Sequence, residues 1–231
     1  MSKHIVITGN RKGIGRFLSE KFLQRGYVVF GCSRSETDLN HKNYHHFIAD
    51  VSVEEDVKNM TRNIKKITKK VDYLINNAGM ASMNHVITTP VKSFEKLNNT
   101  NFLGTFLFTR EISKLMLKYG GRIINFSTVA SPLNLEGEAI YASTKAAIEK
   151  FTKISSFELS QFNINVNCIG PTPIYTDLIK AVPQNKINQL ISRQAIKRLG
   201  KFDDVLNLVD FFLNEKSDFV TGQIIYLGGV T

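Results

Sequence analysis

The sequence predicts an α/β protein built on a doubly wound parallel sheet with helices on both faces. Three observations lead there. Short β-branched apolar runs alternate with amphipathic helical segments along the chain. Such alternation is satisfied by parallel strands joined through right-handed helical crossovers, which cover both faces of one sheet. The 231-residue chain also shows no linker, low-complexity tract or compositional break, so residues 1–231 read as one domain.

In chain order, "HIVITG" (4–9) is the first strand, broken by glycine, and residues 14–24 form the first amphipathic helix. "YVVFGCS" and "HHFIAD" are the next two strands. Residues 53–68 then form a helix, because Val57, Met60, Ile64 and Ile67 recur at helical spacing. "VDYLIN" is a strand, 91–119 a long helical stretch and "RIINFS" a strand; 139–161 is a helix and "NINVNCI" a strand. A helix near 203–213 and the strand "QIIYL" complete the series. Residues 172–200 interrupt the rhythm, with Pro171, Pro173 and Pro183 nearby and a helical piece, as expected of a lid over a cleft.

Composition narrows the function classes. At 42% hydrophobic and 22% charged residues the chain reads as an ordinary soluble globular protein. The formal net charge of +10 suits nucleic acid, a phosphorylated cofactor or an acidic partner. The densest basic stretch, "KNMTRNIKKITKK", is the solvated face of a predicted helix and carries no aromatic residues to stack on bases, so no nucleic-acid binding is expected. The first apolar run is too short for a signal peptide or membrane span, which points to a cytoplasmic protein with no membrane association. Cys32 and Cys168 stand far apart in apolar stretches and read as buried free thiols. His41, His45 and His46 lack acidic or thiol ligands at a recognisable spacing, so no metal is expected.

"TGNRKGIG" places Gly9, Gly13 and Gly15 between the first strand and the first helix. Glycines allow a tight turn and close backbone approach, and the helix start offers unpaired N–H groups to a pyrophosphate. The spacing is G-x-x-x-G-x-G, and its place in the first βαβ unit makes it a dinucleotide loop. At the end of the second strand, Ser33 is followed by Arg34 with no acid; Arg11 and Lys12 add positive charge within the loop. A guanidinium pairs with a 2'-phosphate where a carboxylate would accept from a free 2'-hydroxyl, so NADPH/NADP+ is preferred over NADH.

"YASTK" puts Tyr141 and Lys145 one helical turn apart on one face. A free tyrosine titrates near ~10, and an ammonium beside it brings it closer to the operating pH as an acid-base group.

With "NNAG" (76–79), "NFLG" (101–104) and "VTGQIIYLGG" (220–229), these motifs in this order make the chain resemble the short-chain dehydrogenase/reductase family, in its 3-oxoacyl reductase-like form, over nearly its whole length. The resemblance implies a Rossmann-type sheet of about seven strands with the cofactor across its C-terminal edge. It implies that Tyr141 exchanges a proton with the carbonyl or alcohol oxygen as hydride moves. Lys145 would lower the tyrosine's pKa and hold the nicotinamide ribose, and Asn101 would position a water in a proton relay behind it. Asp50 beside Val51 matches the adenine contact, and Thr176 the hydroxyl that meets the carboxamide. Ile14, Asn77, Ala78, Gly79, Pro171 and Ile174 complete the implied cofactor contacts.

The family's substrate-orienting serine lies thirteen residues before the tyrosine, a count that lands on Thr128. Ser127 is one residue out of register, and successive strand side chains point to opposite faces. Thr128 is therefore expected to face the substrate, with Ser127 as the alternative if the strand end bulges. In "IGPTPIYTD" the family's Pro-Gly is replaced by Pro171-Thr172, with another proline at 173, which predicts a stiffer wall. The positions matching carrier-protein-binding arginines hold Tyr119 and Phe162. The substrate is then a ketone or secondary alcohol, either 3-oxoacyl-type or a sugar or other precursor in polysaccharide or secondary metabolism. A catalytically silent nicotinamide-binding sensor or scaffold is the reading from another class. The family commonly assembles through two long helices, here within 91–119 and 139–161, so a homodimer or homotetramer is expected.

Overall fold

The computed structural model describes residues 2–180 and 182–230. Seven strands form one parallel sheet: β1 (His4–Thr8), β2 (Val28–Ser33), β3 (Tyr44–Ile48), β4 (Tyr73–Asn76), β5 (Gly121–Phe126), β6 (Ile164–Gly170) and β7 (Ile224–Tyr226). Their order is β3-β2-β1-β4-β5-β6-β7, and every pairing is parallel. The direction of winding reverses between β1 and β4, which opens a crevice beyond the strands' C-terminal ends.

The helices are α1 (Gly13–Gln24), α2 (Glu54–Ile67), α3 (Val91–Asn98), α4 (Gly104–Ser113), α5 (Ala130–Leu133), α6 (Ala139–Ser160), α7 (Asp177–Lys180), α8 (Gln184–Ser192) and α9 (Phe202–Leu213). Strand alternation sorts the core into two layers. Val6, Leu74 and Ile123 face Val57, Met60 and Ile64 of α2 and Leu107, Phe108 and Ile112 of α4. Ile5, Ile7 and Ile75 face the other way, onto Leu18 and Phe22 of α1 and Val205, Val209 and Phe212 of α9. Both sheet faces are thus buried, as near-continuous apolar strands require.

The long helical stretch expected over 91–119 is broken. A π-helical turn, Asn99–Leu103, separates α3 from α4, and α4 gives way at Ser113 to turns that end at Gly120. Gly120 has φ +72°, and a Cβ there would stand 2.8 Å from the Asn163 carbonyl oxygen, so the chain turns where only glycine fits. Gly104 at the start of α4 lets the helix close on Val51, to which a Cβ would come within 2.8 Å. Segment 172–200 carries α7 and α8 and is tied back by an Ile174–Gly200 bridge.

A polar seam crosses this apolar core. Asn76 and Asn125, neighbours in register on β4 and β5, are both buried. Asn76 Nδ2 donates to Thr109 Oγ1 (3.0 Å) and Asn125 Oδ1 (2.9 Å), while Asn125 Nδ2 donates to Thr152 Oγ1 (2.9 Å). The seam joins the sheet to α4 and α6 just below the crevice, and its side chains are costly to bury without such partners. Among the described residues no helix is long and apolar enough to cross a membrane, and no group of three or more His, Cys, Asp or Glu residues could hold a metal ion.

Candidate active site

A cleft of about 1240 Å³ lies over the C-terminal ends of the strands and gathers the loops after β1 to β6. At its phosphate end, the turn after β1 is fixed by tight packing. Gly9 has φ +68°, and a Cβ there would be 2.8 Å from the Ala78 Cα. Asn77 Nδ2 donates to the Thr8 and Gly9 carbonyls (2.9 and 3.1 Å), and the Ala78 N–H donates to Thr8 Oγ1 (2.9 Å). A Cβ on Gly15 would strike the Gly9 carbonyl oxygen at 2.5 Å. No side chain caps the start of α1, leaving its first N–H groups available to a pyrophosphate. A turn with no room for a side chain at Gly9 or Gly15, beside an uncapped helix start, fits a dinucleotide.

Arg11, Lys12, Gly13, Ile14, Ser33, Arg34, Asp50, Val51, Asn77, Ala78 and Gly79 all line the cleft, as do Pro171, Ile174 and Thr176. Gly9 lines it too, whereas Gly15 is buried beneath the turn. Lys12 is drawn across the cleft into an ion pair with Asp177 at 2.9 Å, while Arg11 and Arg34 make no ion pair among the described residues. Asp50 is committed to Ser52, accepting from its N–H (2.9 Å) and its hydroxyl (2.6 Å).

At the chemical end, Tyr141 and Lys145 project from the first turns of α6, both buried. The Thr128 hydroxyl lies close enough to the Tyr141 phenol to lower its pKa. Ser127 is turned the other way, donating to the Glu149 carboxylate of α6. Both residues lie just beyond the end of β5 and both line the cleft, with the Ser127 hydroxyl engaged by Glu149. Lys145 Nζ donates to the Phe126 carbonyl at 2.8 Å. Asn101 sits in the π-helical turn, fully buried behind Gly79 and outside the cleft wall. Its Oδ1 accepts from the Met80 N–H (2.8 Å), and its Nδ2 donates to the Met80 carbonyl and to Thr144 Oγ1 (both 3.0 Å).

The family model described as enoyl-(acyl carrier protein) reductase matches residues 8–231. The chain belongs to the short-chain dehydrogenase/reductase family. It is an oxidoreductase that acts on CH–OH or C=O groups with a nicotinamide cofactor. It is 28% identical to a 3-oxoacyl-[acyl-carrier-protein] reductase FabG of Staphylococcus epidermidis over 240 residues, covering 99% of this chain and 98% of that one. It is also 28% identical to an NAD-dependent glycerol dehydrogenase of Listeria innocua, covering 98% and 92%. The solved structure of ElxO with NADP bound superposes with a TM-score of 0.89 at 30% identity, covering 98% of this chain and 97% of that one.

The electrostatics of this dehydrogenase/reductase differ from the expected lowering of the tyrosine by its lysine. Burial pushes the Tyr141 phenol up to about 12, with the Thr128 hydroxyl opposing and Glu138 adding to the rise. Burial also brings the Lys145 ammonium down to about 8. The Lys145 ammonium is held by the Phe126 carbonyl, and burial keeps the Tyr141 phenol protonated. Glu138 escaped notice in the sequence. It lines the cleft with a raised pKa of about 7 caused by burial, and its Oε2 is buried without a hydrogen-bond partner. Its signal was an acid three residues before the tyrosine, on the same helical face.

A carboxyl raised from 4.5 to about 7 in the folded chain binds its proton more tightly there than when unfolded. Its stabilising contribution is complete below about pH 4.5 and is lost as pH rises through about 7. Glu138→Gln should therefore flatten the stability profile between those values, measured by urea denaturation at a series of pH values.

Proposed function

We propose that this protein is an NADPH-dependent reductase acting on a ketone, or the corresponding secondary alcohol in reverse. The observation that carries this reading is the convergence of the Thr128 hydroxyl and the Tyr141 phenol on one wall of the cleft, with Lys145 one turn along α6. When bound, the nicotinamide supplies or accepts the hydride. Tyr141 gives its proton to the carbonyl oxygen, and the elevated pKa favours the protonated form that reduction consumes. Thr128 donates a hydrogen bond that orients that oxygen, and its β-branch narrows the pocket beside it. Lys145 holds the nicotinamide ribose, and Asn101 fixes the Met80 backbone behind it. Residues 172–200 act as the lid of a single domain, and a cytoplasmic location belongs to the same reading.

The preference for NADPH rests on Arg34, with Arg11 beside it, at the open end of the cleft. Lys12 is the weaker candidate because Asp177 already neutralises it. Two substrate classes suit the chemistry. A 3-oxoacyl group carried by an acidic protein finds no charge at Tyr119 or Phe162, whereas the unpartnered Glu138 in the cleft favours a hydroxylated, sugar-like carbonyl compound.

Assembly follows from the outer faces of α3, α4 and α6, where Phe94, Phe106, Ile154 and Phe157 are exposed, Phe157 by 83%. Apolar side chains gathered this way suit a two-fold interface in a homodimer or homotetramer.

Three measurements test the reading. Tyr141→Phe should lower kcat/KM for ketone reduction by about 10²–10⁴-fold while leaving NADPH binding intact; undiminished turnover would remove the tyrosine from the chemistry. Arg34→Ala should raise the KM for NADPH by roughly 10–100-fold, the loss of a charge-assisted hydrogen bond, and leave that for NADH nearly unchanged. Light scattering should give a multiple of the 26.1 kDa chain mass, and Phe157→Glu should shift it toward the monomer.

A further inference from the structure

One charged side chain of the cleft has no role in the proton and hydride chemistry. Glu138 immediately precedes the first residue of α6, three positions before Tyr141, and lies close enough to raise the phenol's pKa. Glu138 and Thr128 line the same cleft wall as the phenol. Its neighbour Glu136 is paired with Lys186 at 2.8 Å and faces His85 at 3.6 Å, so the nearby cations are already engaged. Glu138 forms no ion pair among the described residues, and its Oε2 is buried without a donor. A buried carboxylate oxygen left without a donor is costly, and among the described residues Glu138 is the one carboxylate in a group of unpartnered buried oxygens that otherwise belong to Asn10, Asn76, Thr172 and Gln194.

We propose that Glu138 is a substrate-recognition residue that accepts a hydrogen bond from a hydroxyl on the carbon next to the reacting carbonyl, selecting α-hydroxy ketones and vicinal diols. The proposal rests on the hydride-transfer reading of the same site. Its chemistry follows from the carboxylate, which offers only acceptors. A substrate hydroxyl meets it with a charge-assisted bond, roughly twice as strong as a neutral one. The second carbonyl of a 3-oxoacyl thioester presents another acceptor, and can be met only after Glu138 takes up a proton. The placement agrees, because Glu138 lies close enough to Tyr141 to act on its phenol and lines the same cleft.

The test compares 2-hydroxyacetophenone with 2-methoxyacetophenone, which differ in the single donor. Calorimetry on the NADP+-loaded protein measures binding in a complex whose carbonyl has no hydride to accept, and the absence of NADPH absorbance verifies that the hydroxyl of the ketone is not oxidised. At about pH 8.5, above the Glu138 value of about 7 so that the carboxylate is ionised, the native protein should bind the hydroxy ketone about tenfold or more tightly than the ether. Glu138→Ala should bring the ratio close to one, and Glu138→Gln, which keeps an acceptor oxygen, should retain part of it. Unchanged NADP+ affinity in both variants verifies that they are folded. Equal affinities in the native protein, no binding of the hydroxy ketone, or an undiminished ratio in Glu138→Ala would each overturn the proposal. NADPH oxidation with the two ketones separates the two readings. Reduction without discrimination removes the role of Glu138 alone, whereas discrimination without reduction upholds it and removes hydride transfer to this class of ketone.

Discussion

The contact between the turn after β1 and the loop after β4 governs the rest of the site. Two strands that diverge at the reversal of winding must be held at their tips, or the crevice would have no defined width. Thr8, Gly9, Asn77 and Ala78 do this with three hydrogen bonds of 2.9–3.1 Å and a backbone approach that excludes any side chain on Gly9. The turn thereby aims the start of α1 into the cleft. The loop after β4 in turn places Gly79 in front of Asn101 and Lys145, whose polar atoms would each lie 3.3 Å from a Cβ at that position. Phosphate end and chemical end are thus positioned by one shared clamp.

Behind the clamp, polar groups do what apolar packing could not. The Asn76–Asn125 seam and the Ser127–Glu149 bond tie α4 and α6 to the sheet at fixed heights. Hydrogen bonds have direction, so they set the register of α6 against β5 more narrowly than a layer of isoleucines would. That register places Tyr141 opposite Thr128. At Pro171-Thr172, where a Pro-Gly was expected, packing rather than hydrogen bonding accommodates the threonine, whose hydroxyl is buried without a partner. The Thr172 methyl lies where a Cβ on Gly200 would come within 2.7 Å, so the bulk gained at one position is accommodated by a glycine at the other.

Much of this was legible in the sequence because it rests on local pattern. β-branched runs marked the seven strands to within a residue or two, and glycine spacing marked the tight turn between β1 and α1. The opposite directions of the Ser127 and Thr128 hydroxyls, one toward Glu149 and one toward Tyr141, follow the two-residue period expected at the end of the strand. What was hidden depends on groups distant in sequence. The break in the 91–119 stretch is absent from its hydrophobic period, since the helix yields to Val51 of another loop. The ion pair of Lys12 with Asp177 spans 165 residues. The isolation of Glu138 is a property of its surroundings: the letter Glu is the same whether its partner is present or missing.

The π-helical turn at Asn99–Leu103 has a consequence for how such a site varies. An α-helix advances by 3.6 residues per turn, and a π turn takes in one residue more. That additional residue changes the angular phase of everything on either side of it. Asn101 reaches the Met80 backbone because of this phase, and α4 meets α2 and the sheet with its own apolar stripe because of the same offset. Losing a single residue here would leave every motif readable in the sequence, yet rotate α4 by about 100° relative to α3. The asparagine or the core would then face the wrong way. Chain length across these five residues is as much a part of the site as the side chains it carries.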